Sequence, residues 1–139
     1  EKAIATADAI IIGPGDLYTS IIPNLLVIGV TEAIRKSKAK KIYVANVMTK
    51  FGETNNFSAG DFINEINNYL GNDILDYALV NNKLPSYWRM RKYIWERASA
   101  VAIEKLPEKP SPVFGDFLRA RGFVRHDPDK LARVIVSLI

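Results

Sequence analysis

Ala7-Asp8-Ala9-Ile10-Ile11-Ile12-Gly13-Pro14-Gly15-Asp16-Leu17-Tyr18-Thr19-Ser20 decides the fold. Ala9 to Ile12 is an unbroken apolar run, the pattern of a strand buried in a parallel sheet. Gly13-Pro14-Gly15 closes it with a turn. Thr19 or Ser20 then stands as the cap of a helix that tolerates Pro23 in its first turn. Leu25, Leu26, Ile28, Gly29, Ala33 and Ile34 recur at helical spacing, which predicts one helix running to about Arg35. Arg35, Lys36 and Lys38 suit its carboxyl end, where cations complement the helix dipole.

Upstream, Glu1 to Thr6 reads as the end of a helix. Downstream, Ile42 to Val47 is a second strand, and Thr49 to Asn56 a polar loop. Ser58 is placed to cap a helix carrying Phe62, Ile63, Ile66, Tyr69 and Leu70, stopped by Gly71. Tyr77 to Val80 is a third strand, ending in Asn81-Asn82. This alternation predicts a Rossmann-like α/β domain over residues 1–139, a three-layer sandwich around a mainly parallel sheet. Pro85 to about Arg97 reads as an aromatic-rich helix and Ala100 to Ile103 as a short strand. Leu106 to Pro112 reads as a turn-rich surface connection and Phe117 to Val124 as an edge strand. Asp127-Pro128 starts a final helix bearing Leu131, Val134, Ile135 and Leu138.

With 139 residues, 48% of them hydrophobic and 24% charged, the chain fits one ordinary globular domain. No apolar run reaches the ~18 residues that a membrane span needs. No secretory signal is read at Glu1-Lys2, and there is no cysteine for a disulfide or thiolate metal site. The cytoplasm is the expected compartment, with no membrane partner. A net charge of +4 favours anionic partners without specifying nucleic acid.

In open α/β sheets, ligands bind beyond the carboxyl ends of the strands. Here the first strand-end loop offers Gly13, Pro14, Gly15, Asp16, Tyr18, Thr19 and Ser20. The second offers Asn46, Thr49, Gly52, Glu53 and Thr54, and the third Asn81 and Asn82. Glycines let backbone N–H groups approach a phosphate, and hydroxyls and amides can read sugar oxygens. The alternative reading of Gly13-Pro14-Gly15 is a plain type II turn. It is not the dinucleotide fingerprint, because Tyr18 stands where the third glycine belongs. Asp16 and Glu53 form a candidate carboxylate pair. His126 reads as polar and exposed, and Arg125 as a potential diphosphate clamp. Tyr87 to Trp95 interleaves aromatic and basic residues, as a single-strand nucleic-acid surface would. Packing of Trp88, Arg91 and Trp95 against the sheet or a subunit partner is the favoured reading.

Ala7 to Leu26 closely resembles the signature of the gluconeogenesis factor family, within the superfamily of 2-phospho-L-lactate transferase. Ala45 to Thr54 resembles that family's second motif, Leu79 to Asn82 its third, and Val124 to Ala132 its last. The resemblance spans nearly the whole chain. It implies a Rossmann-like fold with a pocket for UDP-sugars such as UDP-N-acetylglucosamine, and a role in carbon metabolism, cell-wall precursor supply and cell shape. The transferase branch instead moves a phospholactyl group from a guanosine-diphosphate-activated donor to a deazaflavin, with a divalent metal. Leu17-Tyr18-Thr19-Ser20 favours the first branch. The family's ligand-contacting tyrosine falls on Tyr93 and its arginine on Arg125. Phe51 replaces a proline usual in the second motif. Asp16 stands where serine is commoner, and a carboxylate beside a phosphate calls for a metal or a lysine between them. Family members open with a glycine-rich phosphate cradle that these residues lack. The chain is therefore expected to be the C-terminal part of a longer protein.

Nothing in the sequence pairs a nucleophile with a base, so binding is expected rather than turnover. The expected ligand is a UDP-sugar or other nucleotide diphosphate, with no firmly implied cofactor and a divalent metal kept open. A homo-oligomer is expected, and nucleic acid is the disfavoured partner.

Overall fold

The computed structural model describes residues 2–139. β1 (Ala9–Ile12), β2 (Lys40–Val44), β3 (Tyr77–Asn81) and β4 (Ser111–Gly115) form one sheet in the order β1-β2-β3-β4. Every neighbouring pair is parallel, with Ile11 opposite Ile42, Val44 opposite Leu79 and Leu79 opposite Val113. Side chains alternate across the sheet, which divides the core in two. Tyr43, Ala45, Ala78 and Val80 pack with Phe62, Ile63 and Ile66 of α4 (Ala59–Leu70). Ile42, Val44 and Leu79 pack on the opposite face with Phe117 and Leu131, the latter from α6 (Pro128–Ser137). Helices thus cover both faces of a parallel sheet, the three-layer α/β arrangement.

Local chemistry explains α4 and α6. Ser58 Oγ accepts from the Asp61 N–H while Asp61 accepts from the Ser58 N–H, a reciprocal capping box. Asp127 Oδ1 accepts from the N–H groups of Asp129 and Lys130, and Pro128 fills the first turn of α6. Gly71 ends α4, and its terminal carbonyls at Tyr69 and Leu70 accept hydrogen bonds from the Arg35 guanidinium.

Five sequence expectations are corrected. The helix predicted through Arg35 is broken. A π-helical turn, Leu17–Ile21, leads into α2 (Ile22–Leu25), and α3 (Val30–Lys36) follows at a bend of 73°. Gly29 supplies the left-handed residue of the break, at φ 89°, and Ile28 is 99% exposed. Positions nine apart, such as Leu25 and Ile34, face opposite sides of one straight helix, and the bend lets both reach the core while Leu26 and Ile28 turn outward. Asp16, rather than Thr19 or Ser20, holds the cap position there. The edge strand is Ser111–Gly115, not Phe117 to Val124, which belongs to a hairpin-like excursion. Pro112 lacks an N–H, a loss that an edge strand tolerates. Ala100 to Ile103 forms only isolated bridges, Ala100 to Met48 and Ala102 to Ser58. Finally, α5 (Tyr87–Trp95) buries none of its residues, so Trp88 and Trp95 do not pack on the sheet.

No single helix among the described residues is long and apolar enough to cross a membrane. α1 (Lys2–Ala5) confirms the short helix read before β1.

Candidate functional site

Beyond the carboxyl ends of β1 and β2 lies a cleft of about 600 Å³. Its first wall is the loop after β1. Gly13 sits at φ 85°, and a Cβ there would come within 3.1 Å of the Val44 carbonyl, so this turn needs glycine. Gly15 has no positive φ, so the loop is not the type II turn that would require one. Asn46 Nδ2 donates to the Gly15 carbonyl at 3.0 Å and ties the first loop to the second. Its Oδ1 is buried without a partner among the described residues.

Lys50 reaches between the two carboxylates, 2.7 Å from Asp16 Oδ2 and 2.7 Å from Glu53 Oε1. These two hydrogen bonds hold its ammonium above the ordinary lysine range. A lysine therefore supplies the counter-charge beside Asp16. Among the described residues, no group of three or more histidine, aspartate or glutamate side chains is placed to hold a metal. Among the described residues the carboxylate pair is neutralised by an ammonium and does not by itself offer the donor set of a divalent ion.

The opposite wall is a narrow excursion between β4 and α6. Leu118 and His126 pair in antiparallel fashion, and the Arg119 N–H donates to the Arg125 carbonyl at 3.0 Å. Arg119 and Arg125 therefore stand across from each other on the two arms, and both line the cleft. Gly122, at φ 77°, turns the tip. His126 lines the cleft too, and it is half-buried rather than exposed as its neighbours suggested. Burial holds its imidazole below the ordinary range, with the Ala45 main chain opposing the shift, and Nε2 is buried without a partner among the described residues.

Of the residues singled out in the sequence, Pro14, Gly15 and Asp16 line the cleft from the first loop. Asn46 and Thr49 do so from the second, with Tyr93 and Arg125 opposite. Thr49 also braces its own loop, sharing a 3.1 Å hydrogen bond with the Ser99 hydroxyl. The others lie elsewhere. Gly13 and Ser20 border an apolar groove beside β1. Tyr18 donates to Glu65 on α4, and Thr19 is exposed on the π turn. Thr54 is buried and accepts from the Lys50 N–H, while Gly52 is exposed at the loop tip. Asn81 accepts from the Phe117 N–H and donates to the Lys83 carbonyl, and the Asn82 N–H donates to Gly115. These two asparagines brace the chain around β4. Sequence reasoning missed Lys50 and Arg119. The signal for Arg119 was its symmetry with Arg125 about Gly122.

The family model described as 2-phospho-L-lactate transferase CofD matches residues 1–114. A gluconeogenesis factor of Bacillus subtilis is 42% identical over 141 residues, covering 98% of this chain and 44% of that protein. The gluconeogenesis factor of Halalkalibacterium halodurans is 40% identical over 140 residues, covering 98% of this chain and 44% of that protein. A crystal structure of a UPF0052 family member from Bacillus halodurans superposes with a TM-score of 0.90 at 37% identity, covering 97% of this chain and 44% of that one. The chain thus spans less than half the length of these relatives. With its parallel sheet, strand-end cleft and matching sequence, it belongs to the 2-phospho-L-lactate transferase CofD family, on the side of the gluconeogenesis factors.

Proposed function

We propose that the protein binds a nucleotide sugar of the UDP-N-acetylglucosamine type and acts as a non-catalytic regulator. Its field of action is carbon metabolism, cell-wall precursor supply and cell shape, in the cytoplasm. The observation that carries this reading is the pair Arg119 and Arg125 on one hairpin, facing the glycine loop across the cleft. Planar guanidinium groups match the oxygens of a diphosphate, and the polar lining suits a sugar. The gluconeogenesis-factor relatives support it. The exposed aromatic side chains of α5 support a homo-oligomeric assembly.

The family description favours a second reading, a phospholactyl transferase with a guanosine-diphosphate-activated donor. Calorimetry of the full-length protein separates the two. Binding of UDP-N-acetylglucosamine with no response to GDP is expected, and the reverse pattern would favour the transferase. Absence of UDP-sugar binding would overturn the first reading. Strongly salt-dependent oligonucleotide binding would instead move the function to the basic aromatic helix.

A further inference from the structure

The arginine hairpin has little to hold it in place by itself. Arg119, Ala120, Arg121, Gly122 and Phe123 are all exposed. Within the hairpin, the paired main chain at Leu118–His126 and Arg119–Arg125, with Arg119 Nε donating to the His126 carbonyl at 3.2 Å, closes only its base. The tip is held from outside, by one helix. Arg89 on α5 spreads its guanidinium into it. Nη1 donates to the Arg119 carbonyl at 2.9 Å, Nε to Gly122 at 3.1 Å and Nη2 to Phe123 at 2.8 Å. One turn further along α5, the Tyr93 hydroxyl accepts from the Val124 N–H at 2.9 Å. Between them, the Lys92 ammonium lies 3.5 Å from the centre of the Phe123 ring. All of these α5 side chains grip one short segment, and two of them engage only its main chain.

We propose that Arg89 is a positioning residue for the diphosphate clamp: its three-carbonyl fork sets the hairpin so that Arg119 and Arg125 point into the cleft. The fork geometry is specific to arginine. A lysine would keep the charge, but a single ammonium cannot reach three diverging carbonyls with the same alignment. Pre-set arginines spare the ligand the cost of ordering them, so loss of the fork appears as weaker binding. The α5 helix is thereby a handle on the site, although Arg89 does not line the cleft. This assignment rests on the nucleotide-sugar reading only for its ligand, since the ordering of the hairpin is independent of what binds.

The test uses the full-length protein and its Arg89→Lys and Arg89→Gln variants, with Arg91→Ala, whose guanidinium lies over the Trp88 ring, as control. Hydrogen exchange of residues 119–125 and calorimetric affinity for UDP-N-acetylglucosamine are read in parallel with the melting temperature. Both Arg89 variants are expected to speed exchange at Val124 and its neighbours. Affinity is expected to fall about tenfold or more, equivalent to ~1.4 kcal/mol, with exchange in α4 unchanged. Arg91→Ala should change neither. Unchanged exchange in the hairpin, or a loosened hairpin with full affinity, would overturn the proposal. If the unmutated protein binds no UDP-sugar, the nucleotide-sugar reading fails, and the exchange arm alone then decides whether Arg89 sets the hairpin.

Discussion

Tyr43 carries a phenol into the fully buried face of the sheet, where its hydroxyl has no partner among the described residues and burial pushes its ionisation far up. An unsatisfied buried donor costs free energy, so Tyr43→Phe is expected to hold or raise stability, by ~1 kcal/mol. A urea midpoint that falls would show that the hydroxyl is satisfied. His126 gives a pH dependence of definite sign. Its ordinary value is 6.5 and burial lowers it in the folded protein. The unfolded chain therefore binds the proton first as pH falls, and stability is complete above that ordinary value and drains away as pH drops through the folded one. Urea midpoints at about pH 7.5 and about pH 5.5 should differ more for the unmutated protein than for His126→Gln. An equal difference would remove His126 as the source. At the site itself, Arg125→Ala in the full-length protein is expected to weaken the nucleotide-sugar by ~1.5–3 kcal/mol, the range for charge-assisted hydrogen bonds. Unaltered affinity in a folded variant would exclude it. Gly15, Asn46 and Arg125 could be named from the sequence because each sits in a contiguous motif. Arg119 and Arg89 could not, because what they do depends on a hairpin and a helix meeting across some thirty intervening residues.

Among the elements, α4 shows how local signals fix a helix and how tertiary contact then constrains it. Ser58 and Gly71 mark its two ends by local chemistry alone, so it was legible. The segment that lies against its first turn was not. The Ala59 and Gly60 N–H groups donate to the Ala102 and Glu104 carbonyls, and a Cβ on Gly60 would sit 2.0 Å from the Lys105 carbonyl oxygen. Gly60→Ala is therefore expected to cost ~1–3 kcal/mol despite the better helix propensity of alanine. A thermal melt unchanged by it would mean that the 102–105 segment moves freely. The edge strand β4 escaped for a complementary reason. Pro110 and Pro112 mark a turn in any local reading, and only the parallel register against β3 makes Ser111–Gly115 a strand. The broken helix after the glycine loop failed similarly. Periodicity counted Leu26 and Ile28 as inward, and the bend at Gly29 turns them out.

At the scale of the whole sheet, β1 is a border strand among the described residues, with Ile11 39% exposed beside an apolar groove of about 330 Å³. An open apolar strand edge invites pairing with another chain. Residues 1–139 on their own are expected to self-associate in sedimentation velocity, with Ile11→Lys shifting the distribution toward monomer. A monomeric unmutated chain would show that the edge is adequately protected as it stands. The placement of the tryptophans has a practical side. The only two, Trp88 and Trp95, are 74% and 91% exposed on α5, whose Tyr93 and Glu96 neighbourhood borders the cleft. In the unassociated chain both indoles are thus already in water, so their fluorescence would change little in colour as the core melts. The same emission becomes a local gauge of the cleft rim, and in this protein an optical signal for occupancy and one for unfolding can be recorded separately.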